Sequence, residues 1–335
     1  MPLSLAERLP TSLRPWYQAA RPRSLPATYV PLLIGGAVTL VHGVFEPVRF
    51  VASLAAALLL QIASNFINEY VDYSRGTDVH KIAGMGMVLK QGGLTPRQVL
   101  MGALATLGGG IVLGLLLVVA AGPTLLLIGA IGVLVVVAYT AGPLPLSHLG
   151  LGEIAVFFAM GPLMTLGTYV AVSGRTHVDA FLAGVPIAFT VAAILHANNM
   201  RDVDADRLVN KRTLAVRLGP RGAQVEFVVL VYGGYVAMLA LVLAGSMPWT
   251  TLVAALTLFE AVWLVRVTSR ADRPERLHLA QARTARLHWY FGATLALGWL
   301  LAALVAHVTD VLSRWQRPSR GRAALGAGPP PVPPQ

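Results

Sequence analysis

Two short acidic clusters contain the side chains of this chain that are best suited to chemistry. Six of its fifteen Asp and Glu residues fall within them. Both clusters follow long apolar runs of bilayer-spanning length, where carboxylates are costly unless they are compensated. Their concentration at two places therefore indicates a functional site. Carboxylate and amide oxygens are the protein ligands that Mg2+ prefers. The polar residues are Asn68, Glu69, Asp72 and Asp78 in the first cluster, and Asn198, Asp202, Asp204 and Asp206 in the second.

The spacing within each cluster predicts a shared helix face. Residues three or four positions apart lie on the same side of a helix. Asn65, Asn68 and Asp72 meet this condition near the end of one apolar run. Asn198, Asp202 and Asp206 meet it at four-residue intervals at the end of another. We therefore expect two helix ends to present amide and carboxylate groups to one cavity.

Basic residues interleave with the acids of both clusters. A site for a bare metal ion would gain little from them, whereas a diphosphate needs both metal and cations. The combination favours an isoprenyl diphosphate held with Mg2+. A secondary transporter remains an alternative, because intramembrane polar groups also mark ion pathways. The candidate diphosphate ligands are Arg75, Lys81, Arg201, Lys211 and Arg212.

The composition indicates that these clusters belong to a membrane protein. The chain is 56% hydrophobic and 12% charged, about half the charge of an ordinary soluble domain. Long apolar runs recur, each near the length that crosses a bilayer as a helix. The sequence predicts an all-α, polytopic membrane protein with about nine transmembrane helices around a central cavity. The predicted spans are 25–44, 50–71, 98–121, 124–141, 154–172, 180–200, 225–244, 250–267 and 287–307.

The basic residues predict the orientation of these spans. Most of the 26 Lys and Arg residues lie in segments on the side of the membrane that has both acidic clusters. Such residues gather in cytoplasmic loops, so the N-terminus and the clusters are expected to face the cytoplasm, in the cell membrane. This distribution also explains the net charge of +11 without a nucleic-acid partner. The absence of cysteine excludes thiol catalysis.

The motifs around the clusters resemble the UbiA superfamily of intramembrane aromatic prenyltransferases. The first reads NEYVDYSRGTD from Asn68, and the second reads NNMRDVDADRLVNKRTLAVRLG from Asn198. The second is similar to the 1,4-dihydroxy-2-naphthoate (MenA-type) branch, which belongs to menaquinone biosynthesis. The segments AARPRSLPATYVPLLIG, YTAGPLPLSHLGLGE and FFAMGPLMTLGTY agree with it. Glu69 stands where aspartate is usual, and Asn210 where that branch commonly has glycine.

The resemblance implies a nine-helix prenyltransferase domain 16–312, preceded by an N-terminal cytoplasmic segment 1–15. The composition of the last residues predicts a disordered, Arg- and Pro-rich tail 313–335. The resemblance also implies two Mg2+ ions bridged by a polyprenyl diphosphate. The implied metal ligands are Asn68, Glu69, Asp72, Asp78, Asp202 and Asp206. The implied catalytic residues are Asn68, Asp72, Asp202, Asp206 and Tyr139, the last near the allylic group. The implied contacts to the aromatic acceptor are Arg21, Arg23, Glu153 and Asn198. For Arg21 and Arg23, a role as basic anchors at the cytoplasmic surface of the membrane remains an alternative.

The same resemblance implies the reaction. An allylic cation forms as diphosphate departs, and an electron-rich ring captures it. For 1,4-dihydroxy-2-naphthoate the attacked carbon bears the carboxylate, so carbon dioxide is lost. Another acceptor, such as 4-hydroxybenzoate or homogentisate, remains an alternative within the same family. The prenyl chain can extend sideways into the lipid bilayer, which is the environment that this chemistry requires.

Overall fold

The structure is a computed structural model that describes residues 9–74, 87–140, 145–146, 148–208, 210–269 and 274–316. Within these ranges, the side chains of residues 72, 136, 137, 140, 274–276, 278 and 314–316 are not described. Every regular element in the described residues is helical. The α-helices are α1 (Arg14–Ala19), α2 (Pro26–Val41), α3 (Pro47–Ser74), α4 (Pro96–Ala121), α5 (Pro123–Thr140), α6 (Gly152–Phe158), α7 (Met164–Ser173), α8 (Val178–Leu182), α9 (Val185–Arg201), α10 (Val203–Leu208), α11 (Leu214–Leu243), α12 (Leu258–Ser269) and α13 (Pro274–Gln316).

Short helical turns of other types join some of these elements. A 3-10 turn, Pro22–Ser24, lies between α1 and α2, and a longer one, Trp249–Thr257, leads into α12. The π-helical turn Ala159–Leu163 contains Pro162 and joins α6 to α7 into one span. Proline removes a backbone donor, and such local adjustments let a membrane helix accommodate it.

The described residues contain seven helices that are long and apolar enough to cross a membrane. An eighth is present if the bent pair Arg14–Ser24 and Pro26–Val41 forms one span, and Pro123–Val135 is a shorter apolar helix. Each predicted span therefore has a helical counterpart, and the predicted all-α multi-pass architecture is confirmed, with nine as an approximate count. Large apolar side chains such as Val119, which is 86% exposed, form the outer surface and face lipid.

The main core lies around α9, the helix that leads into the second acidic cluster. Ile187 of α9, Phe227 of α11 and Phe291 of α13 are fully buried and belong to one hydrophobic cluster. Val30 of α2 and Trp299 of α13 complete its centre. Close packing on several sides gives α9 a fixed position in the bundle. The second cluster is thus attached to the most enclosed helix of the core.

The last helix is longer than the predicted span. α13 continues to Gln316, so residues 313–316 are helical although they were predicted to belong to the disordered tail. The remaining part of that tail, 317–335, lies outside the described residues.

Gly298 allows α13 to pack directly on the backbone of the 3-10 turn before α12. A Cβ atom there would collide with the Thr251 Cα and lie 2.8 Å from the Thr250 carbonyl oxygen. Gly298→Ala is therefore expected to strain the contact by about 1–3 kcal/mol. The thermal unfolding midpoint of the detergent-purified protein should fall clearly. Gly114→Ala is the matched control, because a Cβ there meets nothing within 4 Å; equal midpoints for the two variants would contradict the prediction.

Candidate functional site

Glu69 of the first cluster is fully buried and bonded to the segment before α2. Its Oε2 accepts a hydrogen bond of 3.3 Å from Arg21 Nη2, and its Oε1 accepts one of 3.2 Å from the Leu89 backbone N–H. One helical turn earlier, Asn65 Nδ2 donates to the Ala20 carbonyl oxygen at 2.8 Å. These two residues of α3 hold the N-terminal segment in place. Asn65 therefore faces that segment.

Arg21 lies between α1 and the 3-10 turn Pro22–Ser24. Its φ of 51° is in the left-handed region, which costs energy for a residue other than glycine. Four residues later, the helical parts Arg14–Ser24 and Pro26–Val41 meet at 58°, with the break at Leu25. The guanidinium Nε is buried and has no hydrogen-bond partner among the described atoms. Arg23, two residues on, is exposed.

The rest of the first cluster is described in part. Asn68 is half-buried and lies one helical turn before Asp72 on α3, as the spacing predicts. The Asp72 side chain is outside the described atoms. Arg75, Asp78 and Lys81 are outside the described residues. Their assigned roles stay predictions.

The second cluster follows a helix that bends at Asp202. α9 ends at Arg201, and α10 begins at Val203. The helical hydrogen-bond pattern nevertheless continues, because the Asp202 N–H donates to the Asn198 carbonyl at 3.0 Å and the Asp206 N–H to the Asp202 carbonyl at 2.8 Å. Asn198, Asp202 and Asp206 therefore remain one turn apart along one side, as predicted.

Each of the two aspartates has a cationic neighbour. Arg201 donates to both oxygens of Asp202, at 2.7 and 2.6 Å, and Lys211 donates to Asp206 Oδ1 at 3.1 Å. Burial raises the pKa of the Asp206 carboxyl above its usual value, and the Lys211 charge opposes this shift. A bound cation would oppose the effect of burial in the same way as Lys211 and lower that pKa. Arg212, the next basic residue, is exposed.

Two buried oxygens in this cluster are available to a ligand. Asn198 Oδ1 and Asp206 Oδ2 have no hydrogen-bond partner in the described part of the chain. Buried polar atoms in this state require an explanation, and a metal ion or bound ligand is one. Both are hard oxygen donors, so they fit Mg2+.

Asn210 closes the turn that brings Lys211 to Asp206. Its φ is 56°, its N–H donates to the Arg207 carbonyl at 3.2 Å, and the Lys211 N–H donates to the Asp206 carbonyl at 2.9 Å. This pattern is a Schellman motif, whose left-handed position suits glycine and, next to it, asparagine. The geometry explains why asparagine can stand in place of the glycine common in the branch that this motif resembles.

Substitution of Asn210 should show this conformational requirement. Asn210→Val is expected to destabilise the protein by about 1–2 kcal/mol, because a β-branched residue is poorly tolerated in the left-handed region. Asn210→Gly should leave stability unchanged or slightly raised. The measurement is the thermal unfolding midpoint of the purified variants. A midpoint for the valine variant equal to wild type would show that the turn is not required.

Tyr139 and Glu153 lie near the second cluster. The Tyr139 hydroxyl is within electrostatic range of both the Glu153 and the Asp206 carboxylates. Glu153 Oε1 accepts from Asn199 Nδ2 at 2.8 Å and lies 3.2 Å from His196 Nδ1. The sequence interpretation did not single out His196 and Asn199, although an ionisable residue within an apolar span was a usable signal.

Glu226 is a further acidic residue that sequence reasoning missed. Its Oε2 lies 3.4 Å from His196 Nδ1. Glu226 is an acid within an otherwise apolar stretch of α11, which was the available signal. Glu260, in contrast, is balanced by two arginines, Arg283 at 3.1 Å and Arg286 at 2.7 Å. Glu260 thus has a structural role between α12 and α13.

Comparison with known proteins identifies the relatives of this chain. Residues 28–289 match the UbiA prenyltransferase family. The chain is 31% identical over 287 residues to 1,4-dihydroxy-2-naphthoate octaprenyltransferase of Bacillus subtilis (strain 168), covering 85% of this chain and 92% of that protein. It is 34% identical over 292 residues to the octaprenyltransferase of the same name from Mycobacterium tuberculosis, covering 85% and 97%.

A solved structure has the same fold. A UbiA homolog from Archaeoglobus fulgidus, bound to GPP and Mg2+, superposes with a TM-score of 0.57 at 16% identity. The superposition covers 84% of this chain and 99% of that one. The helical arrangement of the described residues is therefore one already seen in experimental structures.

Proposed function

Because the chain belongs to the UbiA prenyltransferase family, we propose that it transfers a polyprenyl group from its diphosphate to 1,4-dihydroxy-2-naphthoate. The observation that carries this proposal is the pair of buried, unpartnered oxygens of Asn198 and Asp206, on the side of the helix that also has Asp202. The naphthoate octaprenyltransferases among the relatives support the acceptor. The solved homolog with GPP and Mg2+ supports the donor and the metal.

The donor set fits Mg2+, and two ions are proposed. When bound, the ions neutralise charge on the diphosphate and so make it a better leaving group. Glu69 is assigned to the pair with Arg21, since both of its oxygens already accept hydrogen bonds. The residues proposed to hold the metal are Asn68, Asp72, Asp78, Asn198, Asp202 and Asp206.

The basic residues are proposed to bind the diphosphate oxygens. Lys211 has three N–H donors and uses one on Asp206, so two remain for phosphate. Arg201 orients Asp202 through two hydrogen bonds and donates a further one to Gln281. The exposed Arg212 can contact the diphosphate without breaking an ion pair among the described residues. Arg75 and Lys81 are proposed for the same role from the first cluster.

The acceptor is proposed to lie between the two clusters. The buried Nε of Arg21 can donate a hydrogen bond to the carboxylate of the acceptor, and Arg23 adds positive charge nearby. Tyr139, which is near both Glu153 and Asp206, is proposed to lie beside the allylic carbon. The allylic C–O bond breaks as diphosphate leaves, the ring carbon bearing the carboxylate attacks, and the electrons of the C–CO2 bond restore the aromatic ring. The apolar helices exclude water from the cation.

The orientation proposed for the protein follows from its basic residues. By the assignment of spans from the sequence, both clusters and most Lys and Arg residues fall on the same side of the membrane. We infer that this side faces the cytoplasm and that the protein resides in the cell membrane. There the water-soluble acceptor can enter from one side while the prenyl chain stays in lipid.

The test is a transfer assay with an acceptor panel. Membranes that contain the protein are incubated with radiolabelled polyprenyl diphosphate, Mg2+ and one of several aromatic acids. We expect a labelled, lipid-soluble product and released carbon dioxide with 1,4-dihydroxy-2-naphthoate. Product with 4-hydroxybenzoate alone would contradict the acceptor. No product with any acceptor, from protein shown to be folded, would contradict prenyl transfer.

A further inference from the structure

Glu153, His196 and Glu226 converge from three helices, α6, α9 and α11. His196 Nδ1 lies 3.2 Å from Glu153 Oε1 and 3.4 Å from Glu226 Oε2. The exposed fractions of the three side chains are 4% for Glu153, 0% for His196 and 17% for Glu226. His196 is two residues before Asn198, about 160° away around the helix axis. The group is therefore separate from the helix face that has Asn198, Asp202 and Asp206.

The protonation of His196 is set by its second nitrogen. Nε2 lies 2.8 Å from the Ala223 carbonyl oxygen, which can only accept a hydrogen bond. Nε2 must therefore have the proton, and in the neutral ring Nδ1 has a lone pair. That lone pair faces the two carboxylate oxygens. Three electron-rich atoms cannot remain this close unless a positive charge, either a proton or a metal ion, lies between them.

A divalent ion balances the charge of the cluster more fully than one proton on the imidazole does. Two carboxylates with one imidazolium would leave a net charge of −1 among helices that cross the membrane, whereas a divalent ion gives zero. Glu153 Oε2 is buried and has no hydrogen-bond partner in the described part of the chain, and the same holds for Glu226 Oε2. The described ion pairs of these two carboxylates involve His196 alone.

The surroundings of the two carboxylates are mainly apolar. They lie at a cavity of about 190 Å³ that is otherwise lined by apolar side chains, including Phe157, Phe158 and Leu230. Glu260 is also a buried carboxylate, but there two arginines balance its charge.

The distances also fit a metal. With metal–ligand bonds of ~2.1 Å, neighbouring ligand atoms lie roughly 3.0 Å apart in octahedral and roughly 3.4 Å apart in tetrahedral coordination. The distances of 3.2 and 3.4 Å from Nδ1 agree with these values. The ligand atoms of all three residues lie within 4.8 Å of one another. An imidazole nitrogen selects a transition metal over Mg2+.

The hydrogen bonds that His196 and Glu153 make to other residues have the form expected around a metal site. A ligating histidine usually donates its other N–H to a carbonyl or carboxylate, and a ligating carboxylate is itself hydrogen-bonded. His196 donates to Ala223, and Asn199 Nδ2 donates to Glu153 Oε1 at 2.8 Å. We propose that Glu153, His196 and Glu226 bind a divalent transition-metal ion that joins α6 and α11 to α9, separately from the Mg2+–diphosphate site.

The test measures metal binding to tag-free protein in lipid nanodiscs. After treatment with a chelator, the protein is titrated with Co2+ in excess Mg2+ without diphosphate. We expect one equivalent of Co2+, with visible absorption typical of nitrogen and oxygen ligands, and a higher thermal unfolding midpoint. His196→Gln and Glu226→Gln should lose both effects. Glu260→Gln is the matched control and should retain them, because its carboxylate lies between arginines.

Three outcomes would overturn the proposal. Wild-type protein that binds no stoichiometric Co2+ would show that a proton occupies the cluster. Displacement of Co2+ by Mg2+ would place the ion in the diphosphate site. Undiminished Co2+ binding in both variants would exclude the cluster as its location. If His196→Gln does not fold, Glu226→Gln decides the result, since that side chain is at the edge of the cavity and keeps its shape.

Discussion

Asp206→Asn is expected to lower kcat/KM for prenyl transfer by about 10²- to 10³-fold, the scale at which loss of one charge-stabilising group affects an enzyme. Asp206 is buried, bonded through one oxygen to Lys211, and leaves its other oxygen to a ligand. Asparagine keeps the shape and removes the negative charge. The change therefore weakens metal binding and removes the counter-charge of Lys211 without creating a cavity.

Asp204→Asn is the matched control, two residues away on the same short helix. The Asp204 side chain is 95% exposed and makes only a surface pair with Arg207 at 3.4 Å. Exposed pairs of this kind contribute little to stability, so we expect activity within about twofold of wild type. Initial rates across Mg2+ concentrations, on variants of equal thermal stability, provide the comparison. Similar rates for the two variants would refute the metal role of Asp206.

Glu69→Ala is expected to destabilise the protein by about 3–5 kcal/mol, because it leaves the Arg21 guanidinium without its counter-charge. The Arg21 side chain is 18% exposed and that of Glu69 is 0% exposed, so water cannot replace the lost partner fully. The Leu89 N–H loses its acceptor as well. Replacing both charges, in Arg21→Met with Glu69→Met, should recover part of the stability, as for other buried pairs.

A second substitution, Glu69→Gln, distinguishes a role of Glu69 as a magnesium ligand from its role as the partner of Arg21. The sequence motif implies a magnesium ligand, whereas the structure bonds the carboxylate to Arg21. With Glu69→Gln, we expect a lower unfolding midpoint but an unchanged Mg2+ concentration for half-maximal activity. A double-mutant cycle on unfolding measures the coupling to Arg21. A large rise in the Mg2+ requirement with unchanged stability would restore the metal role.

The sequence was sufficient where the relevant residues are close together in the chain. Asn198, Asp202 and Asp206 lie within nine positions, and the helical repeat placed them on one side correctly. Apolar length alone predicted the spans. Contacts between distant positions were not accessible: nothing local to Glu69 indicates a partner 48 positions away, and nothing local to Glu153 indicates His196, 43 positions away.

Backbone conformation was also beyond local pattern. The left-handed φ of Arg21 is imposed by contacts, since Asn65 holds the Ala20 carbonyl and Glu69 holds the guanidinium. Arginine has no intrinsic preference for that region, so its sequence neighbours do not signal it. Asn210, by contrast, was noted as a replacement for glycine, and the structure supplies the physical reason for that equivalence.

The bend at Leu25 has a consequence for the lipid around the protein. Because the chain turns there, only the 16 residues of Pro26–Val41 continue through the membrane, a length of about 24 Å at the usual helical rise. An ordinary hydrocarbon layer is about 30 Å thick. A helix shorter than this layer is expected to be accommodated by local thinning of the bilayer beside it or by flanking side chains that reach the interface. Such thinning would draw the headgroup layer toward the end of this helix that adjoins Arg21 and Glu69, and so would shorten the path of a prenyl diphosphate whose charged end travels in that layer.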